Sequence, residues 1–493
     1  MNRNRRWLPR ATAGSAQVPS TVGRAAARLG WLDALRGLAA LTVAMHHFNL
    51  LGMLPFGGFV WWHFDPGLYG VMLFFVVSGY IIPASLERRG DIRAFWVGRI
   101  FRIYPAMIAA LALSIMILPS GDGSVALLRT GHNLISLVAN GIMLQDLLGV
   151  INSMNVTWTL CYEMVFYYFV TALFSLGWHR RSGPIAVGSA TVALVLGTAI
   201  APMTLTTDLS STRNLVLAAA VIVAMGLACM LSGNRTLTRT GALLLAGLGL
   251  VLVVFNSRAP SFETWMIFAT MFAGTAVYRA EHGQIDRMQA AFCCGFVIVA
   301  GVLVGWMYNR DGMQQNTWTA GWVAWSAAYF GAWATFGVGL MLRRRRFPRV
   351  LTWLGAVSFS VYLLHIPLLH TLAPRLHVPP VPHTAGGKVL WTAEFLAVVL
   401  LVSYLLYRLV ELPMQKLGRR VLKAVERGLP AVAAGPGPGG SRSGPDGTAS
   451  DGAGASAARP GGSRPGDPQP GGTAVLPAQP GPERAGDVTA GSR

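Results

Sequence analysis

An arginine and two histidines lie inside the first stretch of this chain that is apolar enough to cross a membrane, Leu32 to Phe48, which reads LDALRGLAALTVAMHHF. Ionisable groups at that depth are costly, and a functional role is their default hypothesis. On a helix turning about 100° per residue, Arg36 and His47 fall about 20° apart around the axis and about 16 Å apart along it, so they share one face at two depths. His46 points about 80° away from that line, which selects His47 as the residue to work with Arg36. A guanidinium holds phosphate bidentately, and a neutral imidazole is suited to general-base work near neutral pH. The bland alternative is that Arg36 snorkels to the head groups while the histidines pack between helices.

Two later apolar stretches carry groups that could join them. In WTLCYEMVFYY, which Trp158 opens, Glu163 and Tyr167 are four residues apart on one helical face. In SFSVYLLH, Ser358, Tyr362 and His365 fall at i, i+4 and i+7, a polar stripe on an otherwise apolar helix. Counting about 1.5 Å per residue puts His47 about 21 Å and Glu163 about 22 Å from the same edge of the bilayer core, with His365 at about the same height. Arg36 with Asp33, and Arg99 and Arg102 of RIFRIYP, belong to the other level. A carboxylate, histidines and hydroxyls above an arginine cluster suit either acyl transfer from an anionic donor or proton-coupled transport. Glu163 would orient His47 or stabilise its imidazolium, in the manner of a His–carboxylate pair.

The elements that must position these groups follow from composition. With 493 residues, 53% apolar and 12% charged, the chain reads as an all-α, polytopic membrane helix bundle. Hydropathy gives about ten to twelve transmembrane helices, with segments near residues 33–54, 67–86, 103–119, 158–177, 184–202, 214–232, 241–256, 262–280, 289–307, 319–342, 350–372 and 388–410. An amphipathic stretch over 127–150 is left uncounted. Basic residues gather in every second loop, including ERRGDIRAFWVGRIFR and RRRRFPR, which puts both termini on the cytoplasmic side of the cell inner (plasma) membrane.

The formal net charge of +20 raises nucleic acid as a partner, but the arginines sit at segment ends as orientation signals do, which excludes it. Cys161, Cys229, Cys293 and Cys294 lie in apolar segments without CxxC spacing and read as small core residues. His46, His63, His132, His370, His377 and His383 form no HxxxH or HExxH pair, so no metal site is expected. Trp61, Trp62, His63 and Asp65 read as an interfacial belt, with the outer entrance for an acceptor as the other option. Residues 1–31 form a cytoplasmic basic segment without the apolar core of a cleaved signal, and 32–428 form the membrane domain, closing with a short helix through Arg427. Residues 429–493, rich in Gly, Pro and Ala, form a disordered cytoplasmic tail with no second catalytic domain.

Five motifs in order now carry a family resemblance from Leu32 to about Arg420. LDALRG with Arg36 and His47 matches LDxLRG followed by a histidine, and GVMLFFVVSGY at Gly70 to Tyr80 is close to GVxLFFxLSGF. VGRIFRIYPAM keeps Arg99, Arg102, Tyr104 and Pro105 of a looser arginine motif, and WTLCYEMVFYY keeps Trp158, Glu163 and Tyr167 with Thr159 in place of the usual Ser. SFSVYLLHIP matches SYSLYLLHxP, and ELP at Glu411 to Pro413 resembles a closing ExP. The chain resembles the type-3 integral membrane acyltransferases, which O-acylate surface polysaccharides, lipopolysaccharide sugars, peptidoglycan, Nod factors and some macrolides. Members often carry around ten spans, and some append an SGNH-type domain that is not seen in this sequence, so it looks like a stand-alone transferase.

The resemblance implies an acyl-CoA donor, usually acetyl-CoA, as co-substrate with no bound cofactor, and an essential Arg and His at Arg36 and His47. Joined to the residue reading, it gives an O-acyltransferase acting on a hydroxyl of a carbohydrate or glycoconjugate. Arg36, Arg99 and Arg102 would hold the donor phosphates, His47 and Glu163 would carry the chemistry, and Trp158, Tyr167, Ser358, Tyr362 and His365 would support the site or bind the acceptor. General-base and acyl-histidine routes both stay open. Acylation of a hydrophobic natural product such as a macrolide, a proton-coupled exporter, and a non-catalytic membrane sensor or scaffold are the alternatives.

Overall fold

In a computed structural model of the chain the described residues are 21–118, 133–199, 201–257, 260–310, 319–375 and 384–428. The terminal segments over 1–20 and 429–493 lie outside them, as do His132, His377 and His383. Among the described residues the regular structure is helical, with no strand. The helices are α1 (Thr21–His47), α2 (Leu50–Met53), α3 (Gly57–His63), α4 (Pro66–Arg89), α5 (Ile92–Ile117), α6 (Asn133–Gly141), α7 (Trp158–Ser175) and α8 (Ser182–Leu196). They continue as α9 (Leu209–Leu231), α10 (Arg235–Phe255), α11 (Ser261–Glu281), α12 (Arg287–Tyr308), α13 (Trp322–Leu342), α14 (Arg349–Arg375), α15 (Ala385–Leu406) and α16 (Leu412–Gly428).

Local chemistry sets many of the boundaries. Asp65 accepts from Leu68 N at 2.9 Å and Pro66 opens α4, while Gly90 ends it in the left-handed region at φ 66°. One residue on, Asp91 caps α5 by accepting from Arg93 N at 2.7 Å. Asp208, Asn234 and Asp286 cap α9, α10 and α12 in the same way. Pro83 and Pro105 sit inside α4 and α5, where helices enclosed by neighbours tolerate the lost hydrogen bond.

Each of the twelve apolar segments coincides with one of the longer helices. Eight helical segments among the described residues are long and apolar enough to cross a membrane, and α1, α8, α11 and α13 are the four segments outside that set. The physical reasons differ. Helix α8 has only 15 residues, α1 and α11 carry several charges, and α13 is built mainly of Ala, Gly and aromatic residues with few Leu and Val. Because α11 is buried along nearly its whole length, it meets protein more than lipid. Large apolar side chains such as Val221, Leu250, Phe292 and Leu401 point outward on α9, α10, α12 and α15, a surface suited to lipid and costly in water. The chain is a multi-pass membrane helix bundle.

One helix end differs from the sequence expectation, and the stretch over 127–150 that was left uncounted holds no span in its described part. The first apolar helix begins earlier and stops at His47, because Asn49 takes a left-handed conformation at φ 60°; residues 50–53 form a separate turn. The described part of 127–150 is a nine-residue helix followed by the 3-10 turn Gln145–Leu148, not a span. At the other end α15 runs through a π turn, Tyr407–Glu411, into α16.

Helix α1 packs against α14 and α4, and α4 packs in turn against α11. Small residues let these backbones touch. A Cβ at Gly355 would sit 2.0 Å from Asp33 O, and one at Gly37 would sit 2.7 Å from Gly355 N, so α1 and α14 cross almost in backbone contact. Gly79 meets Met271 O in the same manner at the α4–α11 crossing, where Thr275 Oγ1 donates to Gly79 O at 2.8 Å.

Candidate functional site

The α1–α14 crossing brings two histidines together. His47, the last residue of α1, puts its Nδ1 3.2 Å from His365 Nε2, with ring centroids 5.0 Å apart. His365 is fully buried, and its Nδ1 lies 3.1 Å from Val361 O, one turn earlier on α14. A carbonyl can only accept, so the proton of neutral His365 sits on Nδ1 and its Nε2 is an acceptor. His47 Nδ1 therefore faces two acceptors, His365 Nε2 and, at 3.0 Å, Val43 O. Both hold a proton on Nδ1, which leaves the lone pair of neutral His47 on Nε2.

The accessible His47 ring lines a chamber of about 430 Å³ shared by the ends of α1, α4, α7 and α13. Trp158, Tyr362, His46, Trp61 and Asp65 also line it. His46 stacks on Trp61 with centroids 6.1 Å apart and lies 3.9 Å from Asp65, so Trp61 and Asp65 belong to the chamber while Trp62 and His63 do not line it. Tyr362 ties α14 to the start of α7, with its hydroxyl 2.9 Å from Thr159 Oγ1 and donating to Val156 O at 3.0 Å. The Ser358 hydroxyl turns back onto its own helix and donates to Gly355 O at 2.8 Å.

Below this chamber a smaller apolar cavity continues along α1, lined by Ala39, Ala40 and Val43 with Gly70, Ser358 and Tyr362. Val43, Val71 and Tyr362 line both spaces, so the two adjoin. A Cβ on Gly70 would meet Ala39 O at 2.8 Å, so this glycine sets how closely α4 approaches the α1 face between Arg36 and His47.

The arginines collect at the other end. Arg99 is buried, with its guanidinium 5.2 Å from the Phe95 ring centroid and 5.1 Å from that of Tyr167. Arg102, with Arg89, Arg99 and Arg419, lines an open cavity of about 160 Å³ between α5 and α16. Arg36 and Arg102 are electrostatic neighbours, and neither makes a hydrogen bond or ion pair among the described residues. Asp33, Glu163 and Glu411 offset their charge. Glu411 itself accepts a hydrogen bond from Ser360.

Glu163 thus belongs to the arginine level. It accepts from Tyr167 Oη at 2.5 Å and is an electrostatic neighbour of Arg36 and Arg99, whereas the imidazole beside His47 is that of His365. Arg89, Arg419, Asp146 and Glu263 are lining residues that the sequence reading did not select. Arg419 had one available signal, its place among the basic residues of the amphipathic LPMQKLGRR stretch. Among the described residues no group of three or more His, Cys, Asp and Glu side chains has the arrangement of a metal site.

This division, an arginine-lined cavity at one end and an accessible imidazole at the other, is joined by comparison with known proteins. An acetyltransferase, so named provisionally, from Acidianus two-tailed virus is 29% identical over 34% of this chain and 47% of its own length. A provisionally named O-acetyltransferase of Staphylococcus aureus strain COL is 30% identical over 22% of this chain and 17% of its own. A provisionally named peptidoglycan O-acetyltransferase of Bacillus subtilis strain 168 is 40% identical over 15% and 11%. The match spans less than half of each relative. No solved structure matches the chain. The family described as acyltransferase domain matches residues 29–408, most of the membrane bundle and every motif residue from Arg36 to His365, and the chain belongs to that family.

Proposed function

We propose that the protein transfers an acyl group, acetyl in the first instance, from cytoplasmic acyl-CoA to a hydroxyl of a carbohydrate or glycoconjugate, and that it does so in the plasma membrane. The observation that carries this reading is the pair of adjoining spaces along the Arg36–His47 face of α1, an apolar cavity and the chamber that holds an imidazole with a free lone pair, together with a separate arginine-lined cavity between α5 and α16 that suits an anionic donor. Arginine forks match phosphate oxygens, and the apolar cavity beside the chamber suits the donor's thioester-bearing arm better than it suits ions. The arginines that close α4, follow α13 and lie on α16 support a cytoplasmic position for the donor end.

In this mechanism the acceptor hydroxyl enters the chamber and gives its proton to His47 Nε2 as its oxygen attacks the thioester carbonyl. The C–S bond breaks, the ester C–O bond forms, and the departing thiolate takes the proton back from the imidazolium. His365 Nε2 and Val43 O hold the His47 Nδ1 proton, so the ring presents the correct nitrogen throughout. Glu163, Glu411 and Asp33 temper the positive charge near Arg36 and would let the spent donor leave.

Transfer from labelled acetyl-CoA in membranes of matched expression tests the reading, with extract of the native cell as acceptor. Label should move into an extractable sugar or lipid with the wild type and fall by about 100-fold or more in His47→Ala. Arg36→Ala should lose most of the transfer at low donor concentration. Transfer undiminished in both variants would sink the site.

A further inference from the structure

Between Arg36 and His47 the shared face of α1 presents carbon. Ala39, Ala40 and Val43 follow Arg36 at i+3, i+4 and i+7, and they line the apolar cavity together with Gly70, Val71 and Tyr362. Two hydroxyls in its wall are turned to the backbone: Ser358 Oγ donates to Gly355 O at 2.8 Å, and Thr159 Oγ1 donates to Val156 O at 3.3 Å. The cavity measures only about 20 Å³, against about 430 Å³ for the chamber it adjoins. About 10–15 Å³ is what a single water molecule needs, so this space has the width of one carbon chain.

Its walls are braced. A Cβ on Gly70 would meet Val43 Cγ2 at 2.7 Å and Ala39 O at 2.8 Å, so α1 and α4 already stand as close as a glycine permits. The Tyr362 ring lies nearly parallel to that of Phe74 with centroids 6.3 Å apart, and its hydroxyl is tied to Thr159 Oγ1 and Val156 O. Packing of this kind admits an added methyl group only with strain. In the acyl-transfer reading the donor's arm occupies this cavity with its thioester at His47, so the acyl group, its leading end, has come through first. Building on that reading, we propose that Val43, Val71 and Tyr362, which border both spaces, form a sieve that selects acyl groups by width. Unbranched chains pass to His47, and chains branched beside the carbonyl are turned back. The chamber beyond is wide enough for either, so the cavity sets the choice.

Butyryl-CoA and isobutyryl-CoA test this directly, because the two acyl groups are isomers that differ in shape and not in carbon count. Donor kcat/KM for both and for acetyl-CoA is measured in membranes holding the full chain, with extract of the native cell as acceptor. The proteins are wild type, Val71→Ala, Val43→Ala and His47→Ala. In the wild type butyryl should fall within about fivefold of acetyl, and isobutyryl at least about tenfold below butyryl. The gap between the isomers should narrow by about threefold or more in at least one of Val71→Ala and Val43→Ala, which take methyl groups from the border. That ratio, read within one membrane preparation, does not depend on how much protein folds. Isobutyryl used as well as butyryl, butyryl rejected as strongly as isobutyryl, or a gap unchanged in both variants would overturn the sieve while leaving acyl transfer in place. Absence of His47-dependent transfer from all three donors would overturn the acyl-transfer reading and the sieve with it.

Discussion

A histidine works as a base only through a nitrogen that has no proton, and at His47 that nitrogen is fixed by what surrounds the other one. Val43 O at 3.0 Å and His365 Nε2 at 3.2 Å both face Nδ1. Replacing His365 by Leu removes one of these acceptors, frees the ring to turn or change tautomer, and should lower kcat by about 10- to 100-fold with the donor KM nearly unchanged. His365→Gln, which keeps an acceptor oxygen on a flexible arm, should recover part of that loss. Steady-state kinetics of both variants check this, and equal losses in the two would mean that His365 only fills space. The polar stripe Ser358, Tyr362, His365 was readable from spacing, and so was the shared face of Arg36 and His47. Which residue meets His47 was not. Depth counting put Glu163 and His365 at one height, but Glu163 turns to Tyr167 and the arginines instead. Periodicity on one helix says nothing about its rotation against another, and the crossing decides the partner.

That crossing is a property of two helices and rests on two glycines. Gly37 and Gly355 let the α1 and α14 backbones touch, and that contact sets the height at which residue 365 meets residue 47. Gly355→Ala would drive a methyl group to 2.0 Å from Asp33 O, so the helices must part. The expected cost is about 1–3 kcal/mol of stability, together with a fall in kcat beyond what lost folded protein explains. Gly337 on α13 is the internal control, because a Cβ there meets nothing within 4 Å. Gly337→Ala should be neutral or stabilising by about 0.5–1 kcal/mol, as alanine is the better helix former. Thermal unfolding in detergent alongside transfer assays separates the two substitutions. At this scale much was legible: the twelve apolar segments each fall on a helix. The end of α1 at His47 was not, since Asn49 breaks the helix inside a run whose hydropathy continues through Leu54.

Over the whole molecule, the arginines gather in a cavity of their own between α5 and α16, apart from the chamber beside His47. Arg99 and Arg102 were legible in the sequence as holders of the donor phosphates, while Arg89 and Arg419, which share their cavity, were not. The third wall of their cavity comes from α16, more than 300 residues further along. Gly418 packs on the Phe101 side chain, with a Cβ there only 2.7 Å from Phe101 Cβ, and this contact carries Arg419 to the cavity. If the cavity holds donor phosphates, each arginine contributes a charge-assisted contact worth about 1.5–3 kcal/mol, so Arg102→Ala and Arg419→Ala should each raise the donor KM by about tenfold or more while kcat changes little. Salt provides an independent check. Raising ionic strength should increase the wild-type donor KM more steeply than that of either variant, because part of the screened attraction is already gone from the variants. An equal rise in kcat and KM defects on removing Arg419 would instead mean that α16 braces α5 without meeting the donor.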